Sequence, residues 1–193
     1  MNWKTIFNPF ERFDDKALLG IGILTTALAI LMGYWTGTYF SSIYRINSLD
    51  KVSIQAVAIP TLISFSCAIV VLYVLGKILN SKTRFIDIVN TVLISQLLLV
   101  LLQATDKLSF VKESQEKVIA HQTHPTNPLP VLDIAVTLTM ASVSIIILIY
   151  SITLYYNGFK TATNIKKWQH IVLFAAVSLI MTLVCQILIS KYI

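Results

Sequence analysis

Apolar positions in this chain come in long unbroken runs, not in the short alternations of strands or the one-sided stripes of soluble helices. Stretches free of Asp, Glu, Lys and Arg cover residues 17–44, 52–76, 88–105, 134–159 and 168–190. About 20 apolar residues in a helix cross a hydrocarbon core of roughly 30 Å, so each run is long enough to span, the third only just. Alternating barrel-type patterning is absent, and a chain that crosses lipid without it must do so as helices. The predicted architecture is an all-α, polytopic membrane helix bundle with spans at about 17–40, 52–76, 87–105, 133–156 and 169–190. Residues 17–193 then form a single five-helix transmembrane domain, and residues 1–16 an interfacial segment ahead of it.

Within that frame the polar and small residues predict local features. Trp3, Ile6, Phe7, Phe10 and Phe13 recur at helical spacing, with Lys4, Glu11, Arg12 and Asp14 on other faces. This suits a short helix lying in the interface, bent or restarted at Pro9. Thr25, Ala29, Gly33, Gly37 and Ser41 stand four apart on the first span, so Ala29, Gly33 and Gly37 let a second helix approach closely. The second helix belongs either to the same bundle or to another copy in a homo-oligomer. Tyr34, Trp35, Tyr39, Phe40 and Tyr44 read as an aromatic belt at the far interface. Pro60 predicts a kink in the second span, its freed carbonyl satisfied by Ser64 or Ser66. Asn90 and Gln96 read as polar glue between helices.

In residues 106–130, Leu108, Val111, Gln115, Val118 and Ile119 extend helical spacing beyond the third span, until Pro125, Pro128 and Pro130 stop it. Asn157-Gly158 predicts the end of the fourth helix, because Gly accepts the left-handed conformation of a C-cap. Residues 157–168 would then be a polar elbow, with Lys160, Lys166, Lys167 and Trp168 at the headgroup level.

Composition sharpens the class. The chain is 56% hydrophobic and only 12% charged, with a mean hydropathy of +0.76. Soluble domains carry about 25% charged residues, so half that leaves little for a soluble domain. The net charge of +6 predicts no nucleic-acid partner, because its basic residues sit at segment ends and form no patch. The first apolar run is longer than a signal-peptide core and follows Glu11, Asp14 and Asp15, so no cleaved signal is expected. Cys67 and Cys185 both fall inside spans, at depths that differ by about 10 Å when counted at the helical rise, which excludes a disulfide and makes them small apolar packers.

No catalytic set emerges: there is no Gly-rich phosphate loop and no nucleophile beside a plausible base. His121 and His124, with Glu116 or Asp133 in reach, lack a third firm ligand, so neither a metal site nor any other cofactor is predicted. The span interiors hold no ionisable side chain, which argues against an intramembrane enzyme and an ion-coupled transporter. What remains is a non-enzymatic adaptor or organiser of membrane proteins or lipids, binding a membrane or cytoplasmic protein through residues 3–16, 77–87 and 157–168. The contact residues would be Phe10, Arg12, Phe159, Lys160 and Lys167. The alternative is a transport or channel component for a small or lipidic substrate, with Pro60, Asn90, Gln96 and Asp133 along its path.

Three stretches carry a resemblance. Asn8-Pro9-Phe10-Glu11-Arg12-Phe13 precedes the first span, Gly76 through Phe85 leads into the third, and Leu154-Tyr155-Tyr156-Asn157-Gly158-Phe159-Lys160, with Ala162, joins the last two. With the span layout, they resemble the Yip family of Rab-GTPase-interacting membrane proteins, most nearly its short bacterial branch. The resemblance implies a five-helix integral membrane protein whose eukaryotic members organise membrane traffic by binding small GTPases and one another. The short form would lack the long cytosolic N-terminal region of the eukaryotic members. In a bacterium the chain would sit in the cytoplasmic membrane.

Orientation follows from the basic residues. The N-terminal tail, the second-to-third turn and the fourth-to-fifth elbow hold nine Lys and Arg, against six in the segments on the other side. The positive side faces the cytoplasm. A phosphatase reporter active only outside the cytoplasm should therefore be active when fused after residue 193 and silent when fused ahead of residue 1. The opposite pair of readings would invert the topology.

Overall fold

The computed structural model describes residues 3–105, 107–123 and 131–191. Five helices, or helix pairs in line, are long and apolar enough to cross a membrane. They are α2 (Asp15–Thr36), α3 (Ile54–Leu79), the pair α4 (Phe85–Ser95) and α5 (Leu99–Thr105), α7 (Val131–Thr163) and α8 (Trp168–Ile189). A short helix α1 (Trp3–Phe7) and a 3-10 turn at Pro9–Glu11 precede them, as Pro9 at the head of a new turn predicts. Helix α6 (Ser109–Thr123) packs on the start of α7, where Ser114 Oγ donates to Asp133 (3.0 Å) and Lys117 pairs with Asp133 (3.6 Å). The prolines at 125, 128 and 130 and His124 lie outside the described residues.

The first span ends earlier than its apolar run suggests. Gly37 adopts φ +74° and caps α2, its N–H donating to the Gly33 carbonyl at 2.8 Å. Gly37 is thus the turn that stops the helix, not a residue that packs helix on helix, because φ near +74° is open to glycine at little cost. The chain then reverses into two strands, β1 (Thr38–Ser42) and β2 (Arg45–Ser48), paired antiparallel with Thr38 opposite Ser48 and Phe40 opposite Ile46.

This hairpin folds back into the bundle. Every residue of β1 is buried, and β1 packs on α2, α3 and α8. Phe40 is fully buried against Phe65 (5.5 Å between centroids), which lies about 16 Å along α3 from its first residue. Tyr44 at the turn meets Tyr155 of α7 edge-on at 5.8 Å. The predicted aromatic belt therefore divides: Tyr34 and Trp35 stay exposed, while Tyr39, Phe40 and Tyr44 turn inward. Strand pairing satisfies much of the hairpin backbone, and the Phe40 N–H finds the Thr61 hydroxyl at 3.3 Å. Of the two hydroxyls predicted to serve the kink at Pro60, that of Ser64 is buried without a hydrogen bond.

The small residues of α2 make room for the hairpin. Thr25 and Ala29 are buried within the chain, and a Cβ on Gly33 would stand 2.5 Å from the Thr38 carbonyl oxygen and 2.7 Å from Val57. The stripe is thus used inside the bundle. Arg45 enters with the hairpin, its Nη1 donating to Gln186 Oε1 of α8 (3.0 Å) and its Nε to Asn47 Oδ1 (3.2 Å). Gln186 stands three residues before the end of α8, and Arg45 itself stays exposed. Both cysteines are free, and the buried Cys185 thiol lies 3.8 Å from the Met181 sulfur of its own helix.

Gly33→Leu should lower the thermal midpoint of the detergent-solubilised protein by an overpacking cost of about 1–3 kcal/mol. Gly20→Leu, where an added Cβ meets nothing within 4 Å, should leave the midpoint nearly unchanged. Equal midpoints for the two variants would mean that Gly33 does not hold the hairpin's space.

Candidate interaction face

At one end of the bundle the first residue of α2, the α3–α4 turn and the last turns of α7 come together with the N-terminal segment. Asp15 opens α2 and Arg84 precedes α4, so both charges sit at helix ends where water reaches them. Arg84 is bidentate to Asp87 (Nη2–Oδ1 2.6 Å, Nε–Oδ2 3.0 Å) and also reaches Asp15 Oδ2 at 2.9 Å. Its guanidinium is held charged above the usual arginine value, first by Asp87 and then by Asp15. Beneath it Asn90, almost fully buried, donates to the Asp15 carbonyl at 3.1 Å, so this residue joins α4 to α2 as glue. Gln96 differs: its amide nitrogen finds Ser95 Oγ of its own helix at 3.1 Å.

The N-terminal segment is tied along α7. Tyr150 Oη donates to the Ile6 carbonyl (2.9 Å), Asn157 Nδ2 donates to the Phe7 carbonyl (2.7 Å), and the Asn8 and Thr161 side chains meet at 3.4 Å. These anchors recur at 150, 157 and 161, spacings that place them on one face of a helix. Asn157-Gly158 does not end α7; the helix runs on to Thr163, and Asn164 at φ +51° makes the turn. Gly158 serves instead as a gap, since a Cβ there would lie 2.5 Å from Thr91 Oγ1 and 2.9 Å from the Phe10 ring. The polar elbow thus shrinks to the residues between Thr163 and Trp168. On its other side Asn80 Nδ2 donates to the Thr163 carbonyl at 3.1 Å, locking the α3–α4 turn to the end of α7.

Of the five predicted contact residues, Phe10 and Lys160 line cavities at this face. Phe10 is half-buried and lines a cavity of about 120 Å³ with Asp15, Arg84, Asp87, Asn90 and Gly158. Arg12, Lys160 and Lys167 are exposed. Lys160 extends over the Tyr156 ring (5.9 Å) and borders a shallow groove of about 300 Å³ with Asn8, Glu11, Asn157 and Lys166. Phe159 does not reach the surface. It is fully buried and stacked on Phe174 of α8 at 4.6 Å, because residue 159 points into the bundle when α7 continues as a helix. The residues proposed for a transport path do not share one. Pro60 lines a cavity at the other end of the bundle, Asn90 sits beside Asp15, Gln96 is in the core, and Asp133 is paired to α6.

Sequence reasoning missed the clasp of Asn8, Tyr150 and Asn157 and the triad of Asp15, Arg84 and Asp87. The i, i+3 spacing of Arg84 and Asp87 was a readable signal; the partners 150 residues apart were not.

Taken together, these features define an integral membrane protein: five apolar helices capable of spanning, and a polar face built from the N-terminal segment, the α3–α4 turn and the end of α7. The chain belongs to the Yip1 domain family, which it matches over residues 3–189. No curated protein and no solved structure matches it.

The clasp can be tested directly. With Cys67 and Cys185 replaced by Ala, a short thiol crosslinker should join N8C to T161C in membranes. Adding Gly158→Leu should remove most of that product by displacing Phe10. An undiminished product would mean that the glycine gap does not seat the segment.

Proposed function

We propose that this face docks a membrane or cytoplasmic protein, making the chain a non-enzymatic adaptor or organiser of proteins and lipids in its membrane. The observation that carries the proposal is the convergence of three distant stretches, 3–16, 77–87 and 157–168, tied by side chain-to-backbone bonds into one surface. A preformed surface binds at lower entropic cost than one ordered on contact. In this reading the exposed Arg12, Lys160 and Lys167 supply its charge and the half-buried Phe10 its apolar contact, with Phe159 as the internal support of α7, which carries Lys160. The excess of basic residues on this side supports a cytoplasmic orientation for it. Family membership supports a membrane protein of the Yip type.

A photo-crosslinking side chain at 160, in native membranes, should capture one defined protein that the same side chain at the lipid-facing position 70 does not. Reversing Arg12 and Lys167 to Glu should lower that capture roughly tenfold, because like charges then oppose the partner's surface. Lipid alone at 160, or the same products at both positions, would overturn the adaptor reading.

A further inference from the structure

A further cavity lies at the opposite end of the bundle. It encloses about 590 Å³ between the loop after β2, the first turns of α3 and Ile189 of α8. That volume is ordinary for a small-molecule site. Its walls are fixed: Leu49 donates its N–H to the Gly37 carbonyl at 2.8 Å, and Leu49 packs on the cluster of Tyr39, Val57 and Ile189.

The lining is graded in polarity. Ile59 and Ile63 form its deep part, about 8 and 14 Å along α3 from Ile54, and both are exposed on the apolar flank of the helix. Asp50 and Lys51 form its lip, exposed and adjacent, and neither belongs to an ion pair among the described residues. A site that passes from charged to apolar within one helix turn or two, and opens sideways where lipid lies, fits an amphiphile whose head sits at the membrane surface. One cation beside one anion leaves the lip with no net charge, so it complements a zwitterion better than an anion. Lys51 would pair with a phosphate and Asp50 with an ammonium that can donate hydrogen bonds.

We propose that this cavity binds a zwitterionic glycerophospholipid with a primary-amine headgroup, one acyl chain lying along Ile59 and Ile63, the phosphate on Lys51 and the amine on Asp50. The proposal is independent of the reading of the other face.

The full chain would be reconstituted in vesicles of equal phosphatidylethanolamine, phosphatidylcholine and phosphatidylglycerol, gently extracted, and its retained lipid weighed by native mass spectrometry. Phosphatidylethanolamine should be retained over phosphatidylcholine by about tenfold, since a quaternary amine makes no charge-assisted hydrogen bond to Asp50. Asp50→Asn, at an exposed position, should bring that ratio close to one without changing helicity. Ile63→Trp should reduce retention of every lipid by filling the cavity. Excess free phosphoethanolamine should displace little, because it lacks the chain. Equal retention of the amine and choline lipids would overturn the proposal, as would preference for phosphatidylglycerol, unchanged selectivity in Asp50→Asn, or displacement by the free headgroup.

Discussion

A backbone that enters hydrocarbon must satisfy its own N–H and C=O groups, and most of this structure follows from that constraint. The helices meet it residue by residue. The reversal after Thr36 does not, because a non-helical segment inside the bundle needs either a paired strand or protein all around it. Both are present: β2 pairs β1, and α2, α3 and α8 enclose β1. Gly37 supplies the left-handed turn and Gly33 the space, so two glycines that look like one packing motif have different roles in the same device. Removing the hairpin would empty the centre that Phe40 and Ile43 fill.

The same constraint limits charge. Arg45 stays exposed at the edge of the bundle, where Gln186 and Asn47 accept from its guanidinium. At the other face the charges stay at helix termini, where Asp15, Arg84 and Asp87 pair in contact with water; such exposed pairs add little stability and serve more to set register. The 33 residues of α7, about 50 Å, exceed what a bilayer core needs. The excess gives α7 a polar end along which the N-terminal segment lies.

How much of this was legible depended on whether the signal was local. Five runs of apolar residues are a local property, and the five helices lie where those runs predict, although α2 stops at Thr36, short of its run, and α7 continues to Thr163, past its predicted end. Pro9, Asn90 and the convergence on residues 3–16, 77–87 and 157–168 were also readable, from a proline's missing N–H, an amide in an apolar run and the alternation of spans. Asn157-Gly158 misled because the same glycine that can end a helix can also make room beside one, and only Phe10 and Thr91 decide which. Phe159 misled for the same reason, since its direction changes once the helix continues.

The sequence by itself determined that this chain is a five-span helical membrane protein with a polar face at the N-terminal end, because long apolar runs leave a bilayer-crossing chain no other way to pair its backbone. Only the tertiary structure decided that the first loop folds back as a strand pair, that Tyr150 and Asn157 hold the N-terminal segment, and that Asp50 and Lys51 rim an apolar cavity. Each of those depends on contacts between groups far apart in the chain, and a pattern of polarity along one dimension does not encode which of them meet.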